Sequence, residues 1–94
     1  MIYIGGNIAI LRAVFDLSQN QLAVKMDVTA KAISNYENNV SFPDLNRIEQ
    51  LRDIFNVSAE ILIYYDLSTL LTDNIKAFID QHSPVKPPKK KGAK

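Results

Sequence analysis

Ninety-four residues suffice for one small domain, and a hydrophobic share of 47% is enough to pack a helical core rather than leave the chain disordered. The absence of cysteine excludes disulfide staples and thiolate metal sites. The net charge of +1 is unevenly spread: residues 1–52 carry five basic and five acidic side chains, residues 53–85 set Lys76 against five acids, and five lysines follow from Lys86.

Ile4, Ile8, Leu11 and Phe15 recur every three to four residues and predict a first helix from about Gly6 to Phe15, with Val14 beside its apolar face. Ser18 is then a good N-cap, and Gln21 three residues on completes a capping box. Leu17 and Leu22 bracket that cap as a hydrophobic staple. The second helix buries Leu22, Ala23 and Met26, and Asp27 falls where the chain must reverse. Thr29 repeats the arrangement, with Val28 before it and Ile33 after it, so a third helix buries Ile33 and one side of Tyr36. Two short helices joined by a tight turn make a helix-turn-helix. From Thr29 onward, the positions of the third helix that face outward are Ala30, Lys31, Ser34 and Asn35.

After Asn38-Asn39-Val40-Ser41-Phe42-Pro43, Asp44 caps a fourth helix carried by Leu45, Ile48, Leu51, Arg52 and Phe55. Asn56-Val57-Ser58 ends it, and Ser58 caps a fifth helix in which Val57 and Leu62 form another staple. Glu60 suits the positive end of that helix. Ile61, Leu62, Tyr64 and Tyr65 make it apolar nearly all round, so one side closes the core and the other lacks a partner. A sixth helix is predicted from Leu67 to Gln81, with Leu67, Leu70, Leu71, Ile75, Phe78 and Ile79 on one stripe and Asp73, Asn74, Lys76, Asp80 and Gln81 facing away. That stripe either packs back on its own chain or dimerises, and dimerisation is the favoured expectation. Ser83-Pro84-Val85-Lys86-Pro87-Pro88 cannot continue a helix and is expected to be an extended linker into a flexible lysine tail. The expected division is residues 1–66 as the helix-turn-helix domain, 67–82 as the C-terminal helix, and 83–94 as the tail.

Leu17-Ser18-Gln19, Leu22-Ala23, Val28-Thr29 and Ile33-Ser34-Asn35-Tyr36-Glu37-Asn38 resemble the phage repressor and Cro type of helix-turn-helix, also called lambda repressor-like. Ile4-Gly5, Ile8 and Leu11-Arg12 upstream, and Val57-Ser58-Ala59-Glu60 downstream, extend the resemblance over roughly residues 4–65. It implies an all-α, five-helix domain that binds double-stranded DNA, here with a sixth C-terminal amphipathic helix and a disordered basic tail. It also implies a homodimer on a two-fold operator with half-sites about 34 Å apart; repression by promoter occlusion is expected rather than activation because the sequence shows no effector domain.

The resemblance places base contacts on Ala30, Lys31 and Asn35, with Ser34 beside them. Lys31 suits guanine O6 and N7, Asn35 the adenine edge, and the Ala30 methyl a thymine methyl. The resemblance places Gln19, in the first turn of the second helix, against the phosphate backbone, and exposed donors near helix ends make Thr29, Asn38, Asn39 and Ser41 further phosphate candidates. The same resemblance implies an ion pair between Arg12 and Glu37. Asp16, Asp27 and Asn39 stand where the family has glycine. Asn and Asp are the residues that best tolerate the left-handed conformation after glycine, so the backbone path is expected to survive.

The folded part is not the strongly basic body of an electrostatic DNA clamp, which implies modest affinity per protomer. Lys89, Lys90, Lys91 and Lys94 could add salt-sensitive attraction. A second class of function is a protein-interaction module, such as an antitoxin that neutralises a toxin, or the target of an antirepressor. The acidic stretch from Asp53 to Asp80 and the apolar sixth helix support it. His82 stands alone, with no Gly-rich phosphate loop or acid pair, so neither an enzyme, a metal nor a cofactor is expected. Met1-Ile2-Tyr3-Ile4-Gly5-Gly6 lacks a signal-peptide pattern, and no run reaches about 18 apolar residues. A cytoplasmic chain without a membrane partner is expected.

Overall fold

Side-chain caps divide the chain into its helices. In the computed structural model, which describes residues 1–83, these are α1 (Ile4–Val14), α2 (Gln19–Met26), α3 (Ala30–Glu37), α4 (Leu45–Phe55), α5 (Ala59–Tyr64) and α6 (Thr72–Gln81). A 3₁₀ turn, Leu67–Thr69, separates α5 from α6, and the described residues contain no strand. Ser18 Oγ accepts the Gln21 N–H at 3.0 Å while Gln21 Oε1 accepts the Ser18 N–H at 2.7 Å, closing the capping box that opens α2. Thr29, Asp44 and Ser58 each accept the N–H three residues on, at 3.1, 3.0 and 3.1 Å, and so start α3, α4 and α5.

Two borders differ from the sequence expectation, and neither has a side-chain cap. α1 starts two residues before Gly6 because the Tyr3 carbonyl accepts the Asn7 N–H at 2.9 Å, and the Tyr3 N–H donates to the Ile63 carbonyl at 2.6 Å. The expected continuous helix from Leu67 to Gln81 is broken. Asp66 Oδ1 accepts the Ser68 N–H at 3.1 Å and the Asp66 carbonyl accepts the Thr69 hydroxyl at 2.8 Å. These local bonds hold Leu67–Thr69 in a tighter turn, and Leu70 and Leu71 then run extended before Thr72.

The break changes the use of the apolar stripe. Leu67, Ile75 and Ile79 are buried in the chain's own core, Leu70 and Phe78 are half-buried against it, and Leu71 is exposed. Within this structure the segment therefore folds back, and three of the six residues expected on a dimer face are already covered. The linker and lysine tail expected from Pro84 onward lie outside the described residues.

One core joins all these elements. Ile4, Ile8 and Leu11 of α1 meet Leu22 and Met26 of α2, Ile33 of α3, Leu51 and Phe55 of α4 and Leu62 of α5. Phe15 packs edge-on to Phe55 at 5.2 Å between ring centroids. Gly5 lets α1 approach the end of α3, since a Cβ there would lie 2.6 Å from the Tyr36 carbonyl oxygen and also strike the Asn39 side chain.

Asp16, Asp27 and Asn39 have φ of 59°, 57° and 62°, and Asn56, at the end of α4, joins them at 55°. Asp27 also puts a carboxylate at the negative end of α2. Asp27→Gly removes both the Cβ strain and that charge. It is expected to raise stability by about 0.5–1 kcal/mol, seen as a melting temperature a few degrees higher. A lower one would mean that the Asp27 side chain makes a contact worth more than the strain.

Candidate nucleic-acid interface

The helix-turn-helix is held from three sides. From α1, Arg12 Nε and Nη2 donate to Glu37 Oε2 and Oε1 at 2.7 and 3.3 Å, while Arg12 Nη1 donates to the Leu17 carbonyl at 2.9 Å. One guanidinium thus ties the end of α1, the start of α2 and the end of α3. From α4, Arg47 Nη1 and Gln50 Nε2 both donate to the Met26 carbonyl, at 3.1 and 3.0 Å, and Arg47 also donates to Gln50 Oε1 at 2.9 Å. They satisfy a carbonyl at the end of α2, next to the reversal at Asp27. Gly5, below the end of α3, is the third support.

On this frame α3 buries Ile33 and half-buries Tyr36, leaving its other side to solvent. Lys31 is exposed, and Ala30, Ser34 and Asn35 beside it are half-buried. Among the described residues, the Lys31 ammonium and the Asn35 amide have no hydrogen-bond partner within the chain. Thr29 is exposed at the N-terminal end of this face, its hydroxyl oxygen accepting from Ala32. At the other end Asn38, Asn39 and Ser41 are exposed. The Val40 and Ser41 N–H groups both donate to the Asn35 carbonyl, at 2.8 and 3.3 Å.

Two expected phosphate donors have hydrogen-bond partners inside the chain, and a third packs against α1. Gln19 Nε2 donates to Glu37 Oε1 at 3.0 Å, which links the first turn of α2 to the ion pair. Asn38 Nδ2 donates to the Ser34 carbonyl and hydroxyl oxygens at 2.9 and 3.3 Å. The Asn39 amide lies against Gly5. Thr29 and Ser41 keep the freer geometry.

Positive charge on this side is thin: Lys25 and Lys31 are exposed, but so are Asp27 and Asp44. His82 closes α6, its ring 4.3 Å from that of Phe78 and its Nδ1 2.9 Å from the Phe78 carbonyl oxygen. Among the described residues, no group of three or more His, Cys, Asp or Glu side chains could hold a metal. No described helix is long and apolar enough to cross a membrane.

Arg47, Gln50 and Asn7 are supports that the sequence reading did not single out. Asn7 carried a signal, as an amide on the apolar stripe of α1. The reach of Arg47 and Gln50 to Met26 carried none.

Two short helices locked across a left-handed turn, with the second presenting an outward polar face on an all-α core, define a helix-turn-helix protein. The helix-turn-helix family model matches residues 8–62, and the chain belongs to that family, the phage repressor and Cro type of DNA-binding regulators. Among solved structures, a chain of the SinR protein–SinI protein complex is 26% identical and superposes with a TM-score of 0.64, covering 83% of this chain and 77% of that one. No protein of curated function matches the chain.

Proposed function

We propose that this protein is a sequence-specific regulator of transcription that binds double-stranded DNA as a homodimer and represses by occupying a two-fold operator. The observation that carries the reading is the pair of unpartnered polar side chains, Lys31 and Asn35, on the free side of α3. They are donor groups of the kind that reads guanine and adenine edges in the major groove. Ala30 and Ser34 complete that face. Thr29 and Ser41, with Gln19, Asn38 and Asn39, would set the register on phosphates at its two ends. The shortage of exposed cations argues for modest affinity per copy and for pairing of half-sites.

Selection of bound duplexes from a random pool tests this. Lys31→Ala and Asn35→Ala are each expected to relax preference at one position by about 1–3 kcal/mol. Unchanged preference in both variants would remove the assignment of this face. A Thr29→Ala or Ser41→Ala variant should instead weaken all sequences alike.

A second reading, a module that binds a toxin or an antirepressor, is favoured by one observation. The region carrying Asp53, Glu60, Asp66, Asp73 and Asp80 is acidic, with Lys76 the only lysine or arginine in residues 53–83. The SinR protein, similar in fold, has been solved in complex with the SinI protein. Isolation of this chain from its native host would separate the readings: a stoichiometric second protein supports the module, and a lone dimer the repressor.

A further inference from the structure

The outer side of α5 carries a groove of about 190 Å³ lined by Glu60, Ile61, Tyr64 and Tyr65. Tyr64 and Tyr65 are 60% and 38% exposed, and Ile61 is half-buried. Among the described residues, neither tyrosine hydroxyl nor the Glu60 carboxylate has a hydrogen-bond or ion-pair partner. Residues 53–83 hold five acids against Lys76, and the Lys76 ammonium lies 5.7 Å from the centre of the Phe15 ring, at the end of α1. A carboxylate beside two aromatic rings suits an ammonium group. The ring faces attract the cation, the carboxylate balances its charge, and carboxylate and hydroxyl oxygens accept its protons.

The chain leaves α6 next to this groove. Tyr65, Phe78 and His82 form a row of rings, with 4.7 and 4.3 Å between successive centroids. Ser83, the last described residue, follows His82 directly. The sequence continues Pro84-Val85-Lys86-Pro87-Pro88-Lys89-Lys90-Lys91-Gly92-Ala93-Lys94, with five of the eleven lysines and arginines and no acid. Lys86 stands three residues beyond Ser83, about 10 Å in an extended chain. That reach matches the length of the ring row leading back to Tyr65.

We propose that the lysine-rich segment 84–94 docks in cis on the α5 groove, a lysine ammonium seated between Glu60 and the rings of Tyr64 and Tyr65. Charge selects this occupant. A nucleic-acid backbone is repelled by the carboxylate, and the same acidic surface of a second copy is repelled too. Tethering selects it again. A segment joined to the rim of its own site meets it at an effective concentration in the millimolar range, so weak contacts from each lysine suffice. A basic partner protein has to displace it.

The inference goes beyond the proposed DNA reading and rests on it only for its consequence. Positive charge around α3 is thin, and the lysines after Ser83 are the largest reserve of it in the chain. Docked on α5, that reserve is withheld from phosphates.

Paramagnetic broadening in the full chain tests the docking without DNA. The sequence has no cysteine, so Gly92→Cys gives a single attachment point for a nitroxide. The same label on a chain with Lys86, Lys89, Lys90, Lys91 and Lys94 all changed to glutamine measures the broadening that tethering alone produces. Amide signals of Ile61, Tyr64 and Tyr65 are expected to broaden about twofold more with the lysines than without them. Those of Lys31 and Asn35 should be alike in both chains. The excess should vanish in the double variant Glu60→Gln with Tyr64→Leu, both exposed positions, with circular dichroism unchanged. It should vanish also at about 1 M salt, where the screening length falls to about 3 Å.

No excess at the groove overturns the proposal, as does an excess that survives the double variant or high salt. So does equal broadening on an unlabelled nitrogen-15 chain mixed with the labelled nitrogen-14 chain, which would put a second copy's lysines in the groove. Binding of a nonspecific duplex at low salt reads the consequence. The double variant is expected to bind about threefold more tightly than wild type, and the glutamine chain more weakly. If the double variant binds no more tightly, the lysines are not withheld from DNA. If no form binds any duplex while the broadening holds, the DNA reading fails and the docking stands.

Discussion

Asn7→Ala is expected to destabilise the domain by about 3 kcal/mol and to lower its melting temperature by about 15 °C. Asn7 is 1% exposed and its amide serves several backbone groups more than 50 residues away. Nδ2 donates to the carbonyls of Leu62 and Tyr65 at 2.9 and 2.6 Å, and Oδ1 accepts the Leu67 N–H at 3.2 Å. The carbonyls belong to the end of α5, where the helix leaves acceptors unpaired. The N–H belongs to a fully buried residue of the 3₁₀ turn. Alanine removes every partner at once, and each buried group left unpaired costs about 1–3 kcal/mol, offset where water can enter.

Asn7→Asp should not rescue the loss, because a carboxylate can accept from Leu67 but has no N–H for the two carbonyls. Amide hydrogen exchange adds a regional signature. In Asn7→Ala, exchange should quicken from Leu67 through α6 more than in α2 and α3, since Asn7 holds the Leu67 N–H at the start of that segment. A melting temperature within about 2 °C of wild type would show that the amide network contributes little net stability.

Asn7 also marks where the sequence stops being readable. On the stripe Ile4, Asn7, Ile8, Leu11 it is visibly out of place, yet what it satisfies lies at the far end of the domain. Ser18, Thr29, Asp44 and Ser58 could be placed from sequence because a cap and its target are three residues apart. Tyr3 and Leu71 precede helices without any side-chain cap, and those were the two borders that sequence misplaced. At Leu67 the apolar period continued through a segment that Asp66 and Thr69 bend into a 3₁₀ turn. Local hydrogen bonds there outweighed the periodic pattern.

The candidate site divides the same way. That Lys31 faces out and Ile33 faces in follows from the helical period alone. The left-handed turns at Asp16, Asp27 and Asn39 were legible through the family resemblance, and Asn56 obeys the same chemistry without having been singled out. What could not be read was which donors the chain keeps for itself. Gln19 and Asn38 look like free amides in sequence, but Glu37 and Ser34 take their protons. Arg47 looks like a surface charge on α4 until the fold brings the end of α2 within its reach.

Glu37→Ala should cost about 3 kcal/mol, and DNA recognition should suffer with it. An exposed ion pair contributes little, about 0–1 kcal/mol. This pair is not of that kind: the Glu37 side chain is only 8% exposed and that of Arg12 22%. Removing one member of a buried pair strands the other charge and costs about 3–5 kcal/mol, and the residual exposure of Arg12 puts this site at the lower end. The same deletion takes from Gln19 the acceptor that fixes its amide at 3.0 Å, so the first turn of α2 loses its link to α3.

Arg12→Met combined with Glu37→Leu separates charge from packing. An apolar pair of similar volume avoids the desolvation penalty, so most of the lost melting temperature should return. DNA binding should recover less, because Gln19 remains without an acceptor. The coupling energy from the full cycle of wild type, two single variants and the double variant isolates the pair itself. If the double variant is as unstable as Glu37→Ala alone, the loss lies in the neutral contacts that the two changes remove, the Gln19–Glu37 and Arg12–Leu17 hydrogen bonds, and not in the charge pair.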